Sequence, residues 1–316
     1  MPDSSNTAIA AHGLTRRFGS FVAVGGVDLA VNHGEVFGLL GGNGAGKTTT
    51  IRMLCGTLAP SAGEVRVAGI DMVREARRAR GRIGYVTQRF ALYGDLTIIE
   101  NLRLQAGLYA LHGQRSRTRI DWALQRLDLV AVGNTRAGQL PLGFQRRLAV
   151  AAALLHEPDV LFLDEPTSGI DPLARQQFWE LIYELTESGI GVLVTTHYMD
   201  EALFCDRLAL MEAGRIVAQA APEALLARPL AMPLMEVRTG ACADCARWLA
   251  PWPEIREIIP HAGRLRVRLQ PGASTASFVD KIGAEASRRG VPLDKVETAA
   301  PTLEDVVVSI LEEQAA

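Results

Sequence analysis

Short apolar runs divide the first part of the chain into strand-sized segments. Residues 8–14 and 21–31 alternate between apolar and polar positions, which predicts two strands joined by a turn at 16–19. Further strands are expected at 36–40, 64–67, 83–87, 160–163 and 191–196. The last two runs are continuously apolar, as in strands covered on both faces of a parallel sheet. This half of the chain therefore indicates an α/β core.

The pattern changes between residues 92 and 155. Apolar positions recur there with a helical period at 102–111, 119–127 and 146–155, and strand signals are few. We interpret this segment as a helical subdomain inserted into the α/β core.

Prolines mark a boundary after residue 220, at Pro222, Pro229 and Pro233. Beyond it, strands are predicted at 235–238, 255–259 and 264–269, and helices at 241–249, 274–289 and 303–313. The chain is thus expected to consist of a larger domain over 1–225 and a small α+β accessory domain over 226–316. Arg264, Arg266 and Arg268 alternate with apolar residues and are expected to form one solvated sheet face.

The composition excludes several classes of protein. A net charge of −2 over 316 residues gives no electrostatic argument for nucleic acid or anionic lipid. No apolar run is long enough to span a bilayer, and residues 1–10 lack the pattern of a signal peptide. Four cysteines do not make a disulfide framework, which favours a reducing compartment. Cys242 and Cys245 form a single C-x-x-C, half of a zinc site, and helical packing is the simpler interpretation.

One glycine-rich segment carries the clearest chemistry. It follows the apolar run at 36–40, precedes a helix-compatible segment at 49–54 and consists of Gly41, Gly42, Asn43, Gly44, Ala45, Gly46, Lys47 and Thr48. Strand, G-x-x-x-x-G-K-T loop and helix together predict a P-loop, whose backbone N–H groups cradle phosphates. Lys47 would reach the β- and γ-phosphates, and Thr48 would bind Mg²⁺. A glycine-rich turn that merely caps a helix is the alternative.

Acidic residues end the apolar run at 160–163. Asp164 is expected to face Mg²⁺, and Glu165 to act as general base on the attacking water. His197 follows the apolar strand at 191–196 and could hydrogen-bond the γ-phosphate or the water. Two acids after a strand are a weak signal alone, but an upstream P-loop strengthens it.

The order of these motifs resembles the ATP-binding subunit of an ABC transporter over residues 8–225. The resemblance rests on the P-loop, on Asp164, Glu165, Asp171 and His197, on Gln88, and on the segment Leu140, Pro141, Leu142, Gly143, Phe144 and Gln145. Residues 177–179, 195–201 and 301–306 further resemble the drug-resistance branch, whose permeases are of the ABC-2 type.

The resemblance implies a role for each motif residue. Phe18 would stack on adenine, the P-loop with Thr49 would hold the phosphates, and Gln88 would be the Q-loop residue that touches Mg²⁺. Residues 140–145 would be the signature that closes a second subunit's P-loop, with Asp171 as the D-loop aspartate. The signature departs from the usual L-S-G-G-Q: Pro141 replaces serine, Leu142 the first glycine and Phe144 the glutamine. Pro141 has no hydroxyl, so the contact that the signature serine makes with phosphate is expected to be lost.

The sequence thus predicts a P-loop NTPase core of α/β class with a β-rich N-terminal edge, an inserted helical subdomain and a small C-terminal α+β domain. The implied function is Mg²⁺-dependent ATP hydrolysis that powers export through a separate ABC-2 type permease. The subunit would be cytoplasmic, peripheral on the inner face of the membrane, and paired with a copy of itself or a related chain. No nucleic acid is expected. Alternatives are a soluble ABC ATPase acting on ribosomes or DNA, and a non-hydrolysing regulatory module. The sequence does not identify the cargo.

Overall fold

The computed structural model describes residues 6–261 and 263–315. The chain forms two compact units, Met1–Pro222 and Glu223–Ala316. The strands of the first unit are β1 (Thr7–Phe18), β2 (Phe21–Asn32), β3 (Val36–Leu40), β4 (Ala62–Val67), β5 (Ile70–Asp71), β6 (Ile83–Val86), β7 (Val160–Asp164), β8 (Gly191–Thr196), β9 (Arg207–Glu212) and β10 (Arg215–Ala220). The helices that begin in this unit are α1 (Lys47–Leu54), α2 (Ala76–Arg80), α3 (Ile98–Leu108), α4 (Gly113–Arg126), α5 (Leu142–Leu154), α6 (Pro172–Glu187), α7 (Met199–Ala202) and α8 (Pro222–Leu226).

An antiparallel sheet of order β2-β1-β4-β5 forms the N-terminal edge. Its first hairpin differs from the expectation of a turn at 16–19. Arg17 pairs with Val22 and Phe18 with Phe21, so the strands continue up to a two-residue turn. Gly19 adopts a φ of 60° in that turn, a conformation that glycine accepts without strain.

A six-stranded sheet of order β10-β9-β3-β8-β7-β6 forms the centre of the unit. β3 runs parallel to β8 and β9, and β7 runs parallel to β6 and β8. Every residue of β3, β7 and β8 is buried, which explains their continuous apolar runs. Because these strands are parallel, their carboxyl ends meet at one edge, and the glycine loop, Asp164 and His197 all lie at that edge.

Helix α1 is fixed by apolar contacts with the sheets. Ile51 and Met53 are fully buried in a cluster with Phe37 of β3 and Phe162 of β7. Burying one such side chain contributes about 1.5–3 kcal/mol to folding. The packing therefore holds the start of α1, where the glycine loop ends, in a fixed position against the edge of the central sheet.

The segment between β6 and β7 contains α3, α4, two short 3₁₀ turns and α5. Helix α3 begins four residues before the expected position because Thr97 and Glu100 form a reciprocal capping box at its start. Helix α5 begins at Leu142 rather than at 146, directly after Pro141. Helix α2 was not expected from the sequence.

The second unit contains β11 (Leu234–Arg238), α9 (Cys242–Leu249), β12 (Ile255–His261), β13 (Arg264–Leu269), α10 (Thr275–Arg289), β14 (Lys295–Thr298) and α11 (Leu303–Ala315). Its antiparallel sheet has the order β12-β13-β11-β14, so the succession is βαββαβ with ferredoxin-like topology. The core combines sheet residues such as Val267 with Trp248 of α9 and Phe278 of α10. Cys245 is buried in this core and Cys242 packs against it, so the C-x-x-C segment contributes to helical packing. The short strand β14 was not expected.

The arginine row of β13 is not a solvated face, contrary to the expectation. Asp305 of α11 accepts hydrogen bonds from Arg266 at 2.6 Å and from Arg268 at 3.0 Å. Arg264 donates to Glu236 of β11 at 2.9 Å. The three arginines are therefore partly buried, and they pair with acidic side chains of β11 and α11, which are distant from β13 in the sequence. Within residues 6–261 and 263–315, no helix combines the length and apolarity needed to cross a bilayer.

Candidate active site

The loop between β3 and α1 requires its glycines. A Cβ on Gly41 would lie 2.3 Å from the Met211 carbonyl oxygen, and one on Gly46 would lie 2.9 Å from that of Ala23. Gly46 also has a φ of 107° and occupies the N-cap of α1, where it offers no side-chain oxygen to the helix. The first N–H groups of α1 thus have no intrahelical partner and sit at the positive end of the helix dipole. This is the arrangement that binds phosphate.

Lys47 is buried at the start of α1. Its Nζ donates to the carbonyl oxygens of Gly41 at 2.8 Å and Gly42 at 3.1 Å. The same atom lies 3.6 Å from Oε1 of Glu165. The ammonium group is therefore held between the glycine loop and the end of β7.

Asp164 ends β7 and faces the loop helix. Its Oδ1 accepts hydrogen bonds from the hydroxyls of Thr195 at 2.8 Å and Thr48 at 3.3 Å. Burial raises the pKa of Asp164 above its ordinary value, although both hydroxyls oppose the shift. Asp164 therefore joins the ends of β7 and β8 to the first turn of α1.

Glu165 points in a different direction from Asp164. Its φ of 48° is rare for a residue with a side chain, and its N–H donates to Thr195 Oγ1 at 3.0 Å. Oε2 accepts from Nε2 of Gln88 at 2.8 Å. His197 Nδ1 lies 3.3 Å from the same oxygen but without the geometry of a hydrogen bond. Unusual backbone conformations of this kind cluster at functional sites. Glu165 is thus surrounded by Lys47, Gln88 and His197.

A cavity of about 380 Å³ opens over the loop. Its lining includes the loop residues Asn43 to Thr49, the side chains of Gln88 and Glu165, and two phenylalanines at the tip of the β1–β2 hairpin. Phe18 and Phe21 are 48% and 66% exposed. The guanidinium of Arg16 lies 4.6 Å from the centroid of the Phe18 ring. Exposed aromatic faces beside a phosphate-binding loop suit stacking on a planar base.

The signature segment starts α5. Pro141 is its N-cap, with φ −53° and ψ 150°, and Gln145 N–H donates to the Pro141 carbonyl at 3.1 Å. Gln145 also donates from its side chain to Leu140 O at 3.0 Å. The free N–H groups of the first turn belong to Leu142, Gly143 and Phe144. Pro141 lies directly before the first helical residue, because its ψ of 150° is extended rather than helical.

Asp171 is the N-cap of α6, and its Oδ1 accepts from Ala174 N–H at 3.0 Å. Among the residues that line the 380 Å³ cavity, neither Asp171 nor any residue of 140–145 is present. The structure thus brings together the P-loop, Phe18, Gln88, Asp164, Glu165 and His197, and places the signature and Asp171 apart from them.

Comparison with known proteins identifies the family. The model of the ABC transporter family matches residues 24–168. Over 222 residues the chain is 47% identical to the probable multidrug ABC transporter ATP-binding protein YbhF of Escherichia coli K12, covering 70% of this chain and 38% of that protein. Over 224 residues it is 44% identical to the daunorubicin resistance ATP-binding protein DrrA3 of Streptomyces coeruleorubidus, covering 71% of each. This chain belongs to the ABC transporter family.

A solved structure agrees with the family assignment. The ATP-binding cassette MJ0796, in a dimeric post-hydrolysis state bound to ADP and Pi, superposes with a TM-score of 0.62 at 28% identity, covering 67% of this chain and 98% of that one. The expected fold class, a P-loop NTPase core with a helical insertion and an additional α+β domain, is confirmed. The expected resemblance to drug-export ABC subunits is confirmed as well. The chain spans only 38% of the length of the E. coli relative.

The residues present fit ATP and Mg²⁺. The ABC glycine loop has no room for Cβ atoms at Gly41 and Gly46, so backbone N–H groups can approach a phosphate closely. Thr48 and Asp164 offer hard oxygen ligands at 3.3 Å from each other. Such a pair suits Mg²⁺, which takes one or two protein oxygens and fills its shell with water and substrate phosphate. In the described part of the chain no three acidic, histidine or cysteine residues cluster as a complete metal site.

Phe21 and Thr195 also belong to the site, but the sequence analysis did not predict a role for either of them. Phe21 faces Phe18 across the two-residue turn, and an aromatic pair flanking Gly19 and Ser20 was a readable signal. Thr195 contacts both Asp164 and Glu165 through one hydroxyl. The one feature of the sequence that could have indicated Thr195 is its position two residues before His197.

Proposed function

We propose that this chain is the ATP-hydrolysing subunit of an exporter and that it powers a separate membrane permease. The observation that carries the proposal is the meeting of Lys47 and Glu165, 3.6 Å apart, between a phosphate-binding loop and the end of β7. A cation for the β- and γ-phosphates and a carboxylate for the attacking water are thereby placed side by side. Hydrolysis of a terminal phosphate needs both.

Each residue of the site then has a role in ATP binding or hydrolysis. The glycine loop and Thr49 bind the phosphates, Lys47 turns from its carbonyl partners to the β/γ oxygens, and Phe18 stacks on the base. Glu165 accepts a proton from the attacking water, and Gln88 and His197, which both contact its Oε2, hold it in orientation. Thr48, Asp164 and Gln88 would hold Mg²⁺, which neutralises charge on the phosphates when bound.

We further propose that two ATPase subunits face each other head to tail. The first-turn N–H groups of α5, with Gly143 among them, would approach the γ-phosphate on the second subunit, and Asp171 would lie beside it. The placement of residues 140–145 and Asp171 away from the chain's own cavity supports this arrangement. The dimeric state of the similar MJ0796 cassette supports it too. The second subunit is a copy of this chain or a related one.

The permease is proposed to be of the ABC-2 type, with the ATPase bound peripherally at the inner face of the membrane. The E. coli relative is a probable multidrug transporter subunit and the Streptomyces relative a daunorubicin resistance protein, which supports export as the direction of transport. We assign ATP hydrolysis to residues 1–225, with 92–155 as the helical subdomain, and an accessory role to 226–316.

Affinity purification from native membranes tests this function. The tagged chain should bring down a multi-span membrane protein from detergent extracts, and the complex should hydrolyse ATP faster than the chain alone. A Lys47→Ala chain should still bring down the membrane protein but lose the hydrolysis. Recovery of ribosomes or DNA instead of a membrane protein would favour the soluble alternative and contradict the exporter proposal.

A further inference from the structure

A buried carboxylate that the proposed chemistry does not use lies four residues after His197. Glu201, on α7, is 1% exposed. Burying a charged carboxylate is unfavourable unless several donors satisfy it. The partners of Glu201 therefore indicate why the fold keeps it.

Two hydroxyl donors and one guanidinium group, from three separate segments, converge on Glu201. The hydroxyl of Thr167, in the loop after β7, donates to Oε1. The hydroxyl of Thr196, at the end of β8, donates to Oε2 at 2.8 Å. Nε of Arg175, on α6, lies 3.4 Å from Oε1. One side chain thus joins the end of β8, the loop after β7 and the helix α6.

On one side these contacts lead to His197. Thr196 directly precedes His197, and its hydroxyl also accepts from the N–H of Tyr198 at 3.0 Å. The Tyr198 ring lies 4.1 Å from the His197 ring, centroid to centroid. The Arg175 guanidinium lies 5.3 Å from the centroid of the Tyr198 ring. Glu201 therefore fixes both the backbone and the aromatic neighbour that orient the histidine.

On the other side the contacts lead to Asp171. Asp171 caps α6, and Arg175 N–H donates to the Asp171 carbonyl at 2.9 Å in the first turn of that helix. Thr167 lies on the same short loop between β7 and α6. A shift of α6 or of this loop would therefore change the contacts of Glu201.

We propose that Glu201 is a positioning residue that ties His197 to the start of α6 and so to Asp171. The inference rests on the proposed function, in which His197 faces Glu165 and the nucleotide of its own chain and Asp171 faces the second subunit. Through Glu201 the position of the histidine in one site is coupled to the segment that contacts the other site. Hydrolysis, rather than ATP binding, depends on this link.

The chain offers a matched control for a change at Glu201. Glu35 is also buried, is paired with Arg207, and accepts from Asn32 N–H at 2.7 Å. It immediately precedes β3, at the opposite end of that strand from the glycine loop. Glu35→Gln therefore removes a buried charge of the same kind far from the nucleotide.

Kinetics of Glu201→Gln and Glu35→Gln, in the assembled transporter, test the proposal. We expect Glu201→Gln to lower kcat about ten- to a hundredfold while KM for ATP changes less than about threefold. We expect Glu35→Gln to keep kcat within about twofold. Combining Glu201→Gln with His197→Ala should be no slower than His197→Ala alone, since the glutamate acts through the histidine. A normal kcat in Glu201→Gln, an equal loss in both glutamine variants, or independent effects of Glu201 and His197 would overturn the proposal.

A second readout does not depend on ATP hydrolysis. The chain has six histidines, so the imidazole NMR signal of His197 can be assigned by its loss in His197→Ala. Glu201→Gln should shift or split this signal in the nucleotide-free protein, and Glu35→Gln should leave it unchanged. An unchanged signal in Glu201→Gln would overturn the positioning role. If the wild-type transporter hydrolysed no ATP while the signal still responded, the proposed function would fail and the positioning role would stand.

Discussion

At the scale of single residues, the site is an arrangement of charges at the carboxyl ends of buried strands. Lys47, Asp164 and Glu165 are each less than 10% exposed. Electrostatic interactions are stronger in such an environment than in water. The same burial makes each charge unfavourable when its partners are missing, so function and stability oppose each other here.

Asp164 shows this opposition most directly. Burial raises the pKa of Asp164, so the folded protein binds the proton more tightly than the unfolded chain does. Its charge therefore destabilises the fold at neutral pH, and this effect disappears as the pH falls through the raised pKa. We expect Asp164→Asn to raise the melting temperature of the nucleotide-free protein at pH 7, by about 2–4 °C for each kcal/mol gained, while it weakens Mg²⁺-ATP binding.

Asp305 serves as a control for Asp164, because it is also a buried aspartate but its pKa is shifted in the opposite direction. Burial acts to raise its pKa as well, but the hydrogen bonds from Thr302 and the charge of Arg266 hold the pKa below the ordinary value. Asp305 thus contributes stability above the unfolded-state pKa, and this is lost as the pH falls through the lower folded-state value. Calorimetry at pH 7 should show Asp305→Asn destabilising and Asp164→Asn stabilising. A lower melting temperature for Asp164→Asn would show that the buried charge of Asp164 does not destabilise the fold.

The positive charge of Lys47 should strengthen ATP binding. Lys47→Ala removes a charged hydrogen-bond donor to the phosphates, worth about 1.5–3 kcal/mol, or roughly one to two decades in the dissociation constant for ATP. Titration with a fluorescent ATP analogue measures this. Lys281→Ala removes an exposed lysine of the second unit that pairs with Glu254, and should leave the affinity unchanged. Unchanged affinity in Lys47→Ala would contradict the role of the lysine.

At the scale of elements, the signature helix shows how far the sequence could predict the site. The strand–loop–helix order around the P-loop and the acids at the end of β7 could be predicted, because each motif consists of residues that are adjacent in the sequence. The start of α5 was misplaced by four residues because the apolar period alone does not locate a cap. The hydrogen bonds from Arg266 and Arg268 of β13 to Asp305 could not be predicted either, because the partners are 39 and 37 positions apart in the sequence.

Pro141→Ser should raise ATP hydrolysis by the chain alone. Pro141 already has the extended ψ of an N-cap, and serine is among the residues favoured there. The added hydroxyl restores about one hydrogen bond to a charged group, about 1.5–3 kcal/mol, which corresponds to roughly one to two decades in rate. A partner with an intact L-S-G-G-Q should raise the rate as well.

Pro141→Ala is the control for this experiment, since it removes the proline ring without adding a hydroxyl. Steady-state phosphate release from the purified chain and both variants provides the comparison. If the wild-type chain alone already hydrolyses ATP as fast as Pro141→Ser, the serine contact is dispensable in this protein.

The segment after Gln88 should contact the permease. Tyr93 is 61% exposed in this chain, whereas Phe90 is partly buried. In a Cys242→Ser background, Tyr93→Cys should react rapidly with a maleimide in the isolated chain and slowly in the assembled transporter. Val73→Cys, at an equally exposed position, should react rapidly in both. Equal protection of the two positions, or none at Tyr93, would contradict this docking site.

At the scale of the whole molecule, the chain consists of an ABC ATPase unit and a ferredoxin-like unit. The order of the motifs along the sequence was sufficient to predict the first, since the P-loop, Gln88, Asp164 and His197 all lie at or just after the ends of strands of the central sheet. The second was predicted only as α+β, because one of its four strands was not recognised. That strand, β14, is four residues long and half exposed, so it contains no apolar run. Phe21, which completes the aromatic end of the cavity, depends on a hairpin turn two residues shorter than expected.

Glu165 is expected to act as the base in hydrolysis of ATP bound at the glycine loop. Single-turnover hydrolysis by the wild type and by Glu165→Gln, loaded to equal nucleotide occupancy, tests this role. We expect ATP affinities within about threefold of each other and hydrolysis slowed by about two to four decades in Glu165→Gln. Hydrolysis by Glu165→Gln at the wild-type rate would contradict this role.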